Sequence, residues 1–259
     1  MPTESRLGSS TKIAIVTGGS RGLGRNTVIN LAKRGVHSIL TYHTNRAEAD
    51  KVVALVREAG AKAIALQLDA SDVRSFEGFV ERVRAALAEL GAERFDYLVN
   101  NAGTGLRKAI VETSEEDFDQ LVNVHLKGVF FLTQKLLPLI ADGGRIINVS
   151  SGLARFSVPG TAAYAMMKGG IEVFTRLLAK ELGPRKITAN TVAPGAIETD
   201  FNGGHLRDDA TLNRAVAQMT ALGRAGVPDD VGPMIATLLS DDNRWVNAQR
   251  IEVSGGMNI

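Results

Sequence analysis

Residues 13–24 read Ile13-Ala14-Ile15-Val16-Thr17-Gly18-Gly19-Ser20-Arg21-Gly22-Leu23-Gly24. The first four are apolar on both sides of the chain, which suits a strand buried on two faces inside a parallel sheet. Glycines at 18, 22 and 24 follow at once. A turn that leaves a strand and enters a helix presents backbone N–H groups and the positive helix end to an anion. Glycine serves there for the tight turn, for close approach of a phosphate and for packing of helix on strand. The spacing, G-x-x-x-G-x-G, differs from the general dinucleotide fingerprint G-x-G-x-x-G. Its place on the first strand of a strand–helix series is what points to a dinucleotide.

That series runs to the end of the chain. Apolar runs at 12–17, 38–42, 63–68, 97–100, 145–150, 188–193 and 250–253 alternate with amphipathic stretches at 24–34, 46–59, 73–90, 115–140, 161–182 and 229–239. Such alternation predicts right-handed βαβ units in an α/β fold, a doubly wound parallel sheet of seven strands (Rossmann type) with helices on both faces. Ser114 with Asp117 fits a helix start, and Gly60 and Gly183 stand where helices should end. No composition break divides the chain. The reading is a disordered leader over 1–10 and a single domain over 11–259. Within it, residues 198–227 interrupt the rhythm with a polar, partly helical stretch long enough for a lid over a site.

Composition excludes several functions. The chain has 259 residues, net charge +2 and no Lys/Arg block, so no nucleic-acid partner is expected. It has no cysteine, which removes disulfides, thiolate catalysis and cysteine-based zinc sites. His37, His43, His125 and His205 lie too far apart for ligand spacing, so no metal is expected. No apolar run approaches the roughly 20 residues that span a bilayer, and the N-terminus lacks the apolar core of a signal peptide. The expectation is a cytoplasmic protein without a membrane partner.

The second strand ends in Thr41-Tyr42-His43-Thr44-Asn45-Arg46, with no acid until Glu48. An enzyme that uses NAD places an acid here for the ribose 2′-hydroxyl, whereas a 2′-phosphate wants positive charge and donors. Arg21 and Arg46 supply charge, and His43, Thr44 and Asn45 add polar groups, so NADP(H) is expected as the cofactor.

Tyr164 and Lys168 lie four apart at the start of a predicted helix and therefore share a face. A tyrosine with an ordinary pKa of about 10 is a poor proton carrier at neutral pH. A neighbouring ammonium should lower it, making Tyr164 a general acid and base. The fifth strand delivers Ser150-Ser151 to the crevice at the strand ends, where a hydroxyl and the phenol meet over one carbonyl oxygen.

In these motifs and their order the chain resembles the short-chain dehydrogenases/reductases, with an overall likeness to 3-oxoacyl-carrier-protein reductases. The resemblance runs from Thr17 to Gly256 and also takes in Asp69, the run Asn100-Asn101-Ala102-Gly103, Asn123 and Pro194-Gly195. It implies a catalytic set of Asn123, Ser151, Tyr164 and Lys168. It selects Ser151 over Ser150 by the spacing of thirteen residues before the tyrosine. Ser151 would polarise the substrate oxygen, Lys168 would hold the nicotinamide ribose, and Asn123 would hold a water linking Lys168 to solvent. Thr17, Gly18, Ser20, Arg21, Gly22, Leu23 and Gly24 would line the cofactor, with Asp69 and Ala70 at the adenine. Asn101 would brace the central strand beside the cofactor, with Ala102 and Gly103 next to it, and Ile197 and Thr199 would contact the carboxamide through the turn that begins Pro194-Gly195.

The implied activity is hydride transfer between NADP(H) and a carbonyl or secondary alcohol, in the reductive direction. A 3-oxoacyl thioester, ketone, quinone or ketosugar all remain open as substrate. Ala141-Asp142 stands where carrier-protein reductases often place a basic residue, though Arg185 and Lys186 lie elsewhere on the chain. Arg155 and His205 among apolar neighbours suggest a moderately polar pocket. The helix after Tyr164 carries apolar residues on several sides, which predicts a homotetramer, with a dimer next. A non-catalytic NADP(H)-binding sensor is the alternative reading.

Overall fold

The computed structural model describes residues 11–259, so the leader expected over 1–10 lies outside the described residues. Seven strands form one sheet: β1 (Ile13–Val16), β2 (His37–Tyr42), β3 (Ala63–Gln67), β4 (Phe95–Asn100), β5 (Ile140–Val149), β6 (Thr188–Pro194) and β7 (Arg250–Val253). Their order is β3-β2-β1-β4-β5-β6-β7, with every pair parallel. This is the doubly wound, Rossmann-type sheet that the sequence predicts.

Nine helices are described: α1 (Gly22–Ala32), α2 (Arg46–Glu58), α3 (Phe76–Glu89), α4 (Glu115–Val122), α5 (Gly128–Leu136), α6 (Ala162–Glu181), α7 (His205–Asp208), α8 (Ala210–Gln218) and α9 (Pro228–Leu238). Successive strand residues point to opposite faces, so the central strands feed two cores. Leu40, Val99 and Ile147 pack with Val28 and Leu31 of α1, Val52 of α2 and Ile235 of α9. Their neighbours Ile39, Leu98 and Ile146 pack with Phe76 and Phe79 of α3, Leu132 of α5 and Leu178 of α6. Each such side chain contributes roughly 1.5–3 kcal/mol by leaving water.

The helix expected over 115–140 is broken. After α4 the chain makes a π-helical turn over Asn123–Lys127, resumes as α5, and ends at Leu136 before Pro138. A Cβ on Gly128 would strike the Ala70 carbonyl oxygen, so the helix crosses there at a separation that only glycine permits. Proline cannot continue a helix, and β5 begins two residues after it. β5 therefore starts five residues before the run at 145–150. It pairs Ile140 with Phe95 and Arg145 with Tyr97, taking up the extra residues in a bulge at Gly143, where φ is +77°.

The chain winds outward from β1 to β3, then back from β4 to β7. The reversal between β1 and β4 opens a crevice beyond their C-terminal ends, where such folds bind ligands. The glycine turn, Asn101, Ser151 and Gly195 all lie within two residues of strand ends at this edge.

Candidate active site

Two turns are stapled across the crevice. Thr17 Oγ1 accepts the N–H groups of Asn101 (2.9 Å) and Ala102 (3.0 Å). In return Asn101 Nδ2 donates to the carbonyls of Thr17 (2.9 Å) and Gly18 (3.2 Å). Gly18 and Gly22 have φ of +64° and +52°, and a Cβ on Gly24 would collide with the Gly18 carbonyl oxygen. α1 begins at Gly22 behind an extended Arg21. No side chain caps it, and no acid stands in its first turn. Its leading N–H groups are left for an anion, so this cradle fits a pyrophosphate. Ser20 is half-buried and Arg21 exposed on the rim of the turn, while Leu23 packs against the core beneath α1.

The residues expected to select a 2′-phosphate cluster at the exposed end of β2. His43 lies 3.6 Å from the Asp69 carboxylate, whose Oδ1 accepts from the Ser71 hydroxyl (2.6 Å) and N–H (2.8 Å). The Ser71 donors hold Asp69 below the ordinary carboxylate range. Asn45 caps α2 by accepting the Glu48 N–H (3.2 Å), which uses its side-chain oxygen. Arg46 pairs with Asp50 one turn along at 3.6 Å, and Thr44 is exposed beside it. An exposed pair of that kind is weak, so the Arg46 guanidinium is held only loosely.

The proton-transfer residues come from β5 and α6. Adjacent serines at the strand end point opposite ways. Ser150 donates to the Glu172 carboxylate (2.8 Å) and the Lys168 carbonyl (3.2 Å), under α6. Ser151 accepts the Leu153 N–H (3.2 Å), and its hydroxyl is the hydrogen-bonding neighbour of the Tyr164 phenol. Lys168 is buried, its ammonium 5.5 Å from the Tyr164 ring centre and donating to the Val149 carbonyl at 2.8 Å.

The electrostatics differ from the sequence expectation. Loss of water around the phenol pushes the Tyr164 pKa up, with the Ser151 hydroxyl opposing, and burial pulls Lys168 down to about 8. Desolvation disfavours the charged form of each. In the protein alone it outweighs the attraction that was to have held the phenol low.

The structure also brings His125 against this pair. Asn123 opens the π turn, where its carbonyl accepts the Gly128 N–H. Two residues on, the buried His125 ring meets Tyr164 edge-on, with centroids 5.4 Å apart and planes at 89°. Its Nε2 lies 2.7 Å from the Thr104 carbonyl oxygen. That oxygen can only accept, so Nε2 carries the proton. Burial first, and then the Lys168 charge, lower its pKa to about 3, so the imidazole is neutral. A solitary histidine on an apolar helix reads as core, and the sequence offered only Gly128 in mid-helix as a sign of something unusual. Gly103 has no room for a side chain here, since a Cβ would sit 2.7 Å from His125 Cε1.

Beyond β6, the Gly195 N–H bonds to the Val253 carbonyl (3.0 Å), and Ile197 bridges to Gly226. Thr199 accepts the Phe201 N–H (3.1 Å) and faces Gly22, placing this turn opposite the phosphate cradle. Phe201 then approaches Tyr164, with ring centres 6.2 Å apart. Asn202, Gly203 and Gly204 follow with φ of 53°, 74° and 79°. The Asn202 side chain fills the space over Gly105, where a Cβ would collide with it. Arg155, expected on the pocket wall, is instead bound to Glu252 (2.7 and 2.8 Å) and the Met257 carbonyl (3.0 Å). Arg250 joins Glu252 to Glu172 in the same network. Phe156 packs on Gly152, and Phe201 is the aromatic side chain placed beside Tyr164. Arg185 is likewise committed, to Asp142 (2.8 Å) and the Leu137 carbonyl (2.9 Å).

Comparison with known proteins covers nearly the whole chain. A family model described as enoyl-(acyl carrier protein) reductase matches residues 18–258. An uncharacterised oxidoreductase from Methylorubrum extorquens is 40% identical over 248 residues, 95% of this chain and 97% of that protein. The tetrahydroxynaphthalene reductase PfmaG of Pestalotiopsis fici is 36% identical over 95% of this chain and 91% of its own length. Among solved structures, the angucycline C-6 ketoreductase LanV with bound NADP superposes with a TM-score of 0.88 at 35% identity, covering 97% of each chain. Likeness of that extent in both sequence and structure goes beyond a shared sheet: this chain belongs to the short-chain dehydrogenase/reductase family.

Proposed function

We propose that the protein is an NADP(H)-dependent carbonyl reductase acting on ketones carried by aromatic or fused-ring compounds. The observation that carries the reading is the convergence of Ser151, Tyr164 and Lys168 one crevice-width from an uncapped helix start. The cradle formed by Gly18, Gly22 and Gly24 would hold the pyrophosphate, and Arg21 with Arg46 the 2′-phosphate. When bound, NADPH supplies the hydride that the carbonyl carbon accepts. Ser151 donates a hydrogen bond to the carbonyl oxygen, and Tyr164 passes its proton to that oxygen as the alcohol forms. Lys168, charged below about pH 8, stabilises the phenolate left behind until solvent reprotonates it. The ring-bearing substrate class is supported by Phe201 beside Tyr164, and by relatives named for reduction of tetrahydroxynaphthalene and of an angucycline ketone.

The test is NADPH and NADH oxidation across fused-ring ketones, quinones, 3-oxoacyl thioesters, enoyl thioesters and ketosugars, with Tyr164→Phe as control. Turnover of fused-ring ketones with NADPH, lost by about 10²–10⁴-fold in the variant, is the expected result. Preference for thioesters would overturn the substrate class, and preference for NADH the cofactor. A homotetramer is the proposed assembly. It is supported by Phe130, Met166, Val173 and Leu177, which expose apolar surface on α5 and α6, and is testable by light scattering. The cytoplasm is the proposed location, testable by cell fractionation.

A further inference from the structure

We propose that His125 is a positioning residue for proton transfer: seated on the π turn between α4 and α5, its imidazole ties the Thr104 carbonyl to the edge of the Tyr164 ring and so fixes where the phenol stands over the substrate oxygen. The assignment rests on the reading of Tyr164 as proton donor and deepens it.

Three independent features converge on this ring. The π turn interrupts a helix that would otherwise run unbroken, and such turns recur at functional sites. Here it delivers the His125 ring to Tyr164. The hydrogen bond to Thr104 is short, at 2.7 Å, and determines the tautomer. Gly103, next to Thr104, lacks the side chain that would push the imidazole away. The ring thus joins two walls of one pocket, the loop after β4 and the first turn of α6. Among the described residues, the titratable groups packed on it are Tyr164 and Lys168, both from α6. A neutral imidazole adds no second cation beside the buried Lys168 ammonium, which an imidazolium would repel.

Packing alone would make the same contacts, so the test separates shape from hydrogen bonding. His125→Phe keeps an aromatic ring without the N–H. His125→Gln places an amide N–H near the position of Nε2. Thermal midpoint, NADPH dissociation constant, kcat and KM are measured for both beside Tyr164→Phe. The expected result is a kcat about tenfold lower in His125→Phe with NADPH affinity and substrate KM within about twofold, and substantial recovery in His125→Gln. Equal kcat in His125→Phe and the unaltered protein would overturn the proposal. So would equal losses in both variants that track a lowered thermal midpoint, since that marks a packing role. If Tyr164→Phe stays fully active, the proton-donor reading itself fails. If that variant is inactive while His125→Phe turns over normally, only the His125 assignment falls.

Discussion

Gly24 holds its place because any side chain there would strike the Gly18 carbonyl oxygen, and Tyr164 holds its place because α6 lifts it toward Ser151. Both residues were legible in the sequence, since each announces itself by a spacing: glycines after a strand, and a tyrosine four before a lysine. His125 was not, because nothing local distinguishes a core histidine from one aimed into a crevice. The direction of the Tyr164 pKa was not legible either, as it depends on how much water the phenol loses. Lys168 supplies a prediction at this scale. Its pKa of about 8 means that the ammonium is present below that value and lost as pH rises through it. The kcat/KM for ketone reduction is therefore expected to fall above about pH 8, read from initial rates in buffers of constant ionic strength. A flat profile to pH 10 would show that the lysine stays charged, and the predicted limb would be wrong.

At the scale of elements, sequence patterning located every strand and most helices, because strands buried on two faces carry continuous apolar runs. It failed over 115–140, where the apolar spacing of α4 and α5 runs on through the π turn. An inserted turn changes the face on which later residues fall without changing their hydrophobicity. The family resemblance pointed to Asn123 at the start of this turn, and the backbone after it also brings His125 to Tyr164. The start of α4 was legible. Ser114 Oγ accepts the Asp117 N–H (3.2 Å), and the Asp117 carboxylate accepts the Ser114 N–H (3.3 Å). Ser114→Ala is expected to cost about 1 kcal/mol of unfolding free energy in urea, with kcat unchanged. A loss of activity without a loss of stability would mean that the cap, which leads toward the π turn, also sets the site.

Across the whole molecule, the site draws on residues that meet only because β1 and β4 are neighbours. The bond from the Asn101 N–H to Thr17 closes a separation of 84 residues. The order of strands made that meeting predictable, since parallel strands deliver their ends to one edge. Side-chain commitments between distant elements were invisible, as with Arg155, which turns to Glu252 on β7 rather than to the pocket. The same holds for Asn202, whose side chain occupies the space over Gly105. If product leaves past Phe201, the Asn202 side chain, a plug over Gly105, would have to withdraw against solvent drag, and departure steps of this kind set turnover in many enzymes. Turnover should accordingly slow in proportion as the microviscosity of the medium is raised with sucrose. Gly105→Ala, which leaves the plug no seat, should lose that dependence while binding substrate more weakly. A rate indifferent to viscosity in the unaltered protein would place the slow step in the bond-making itself.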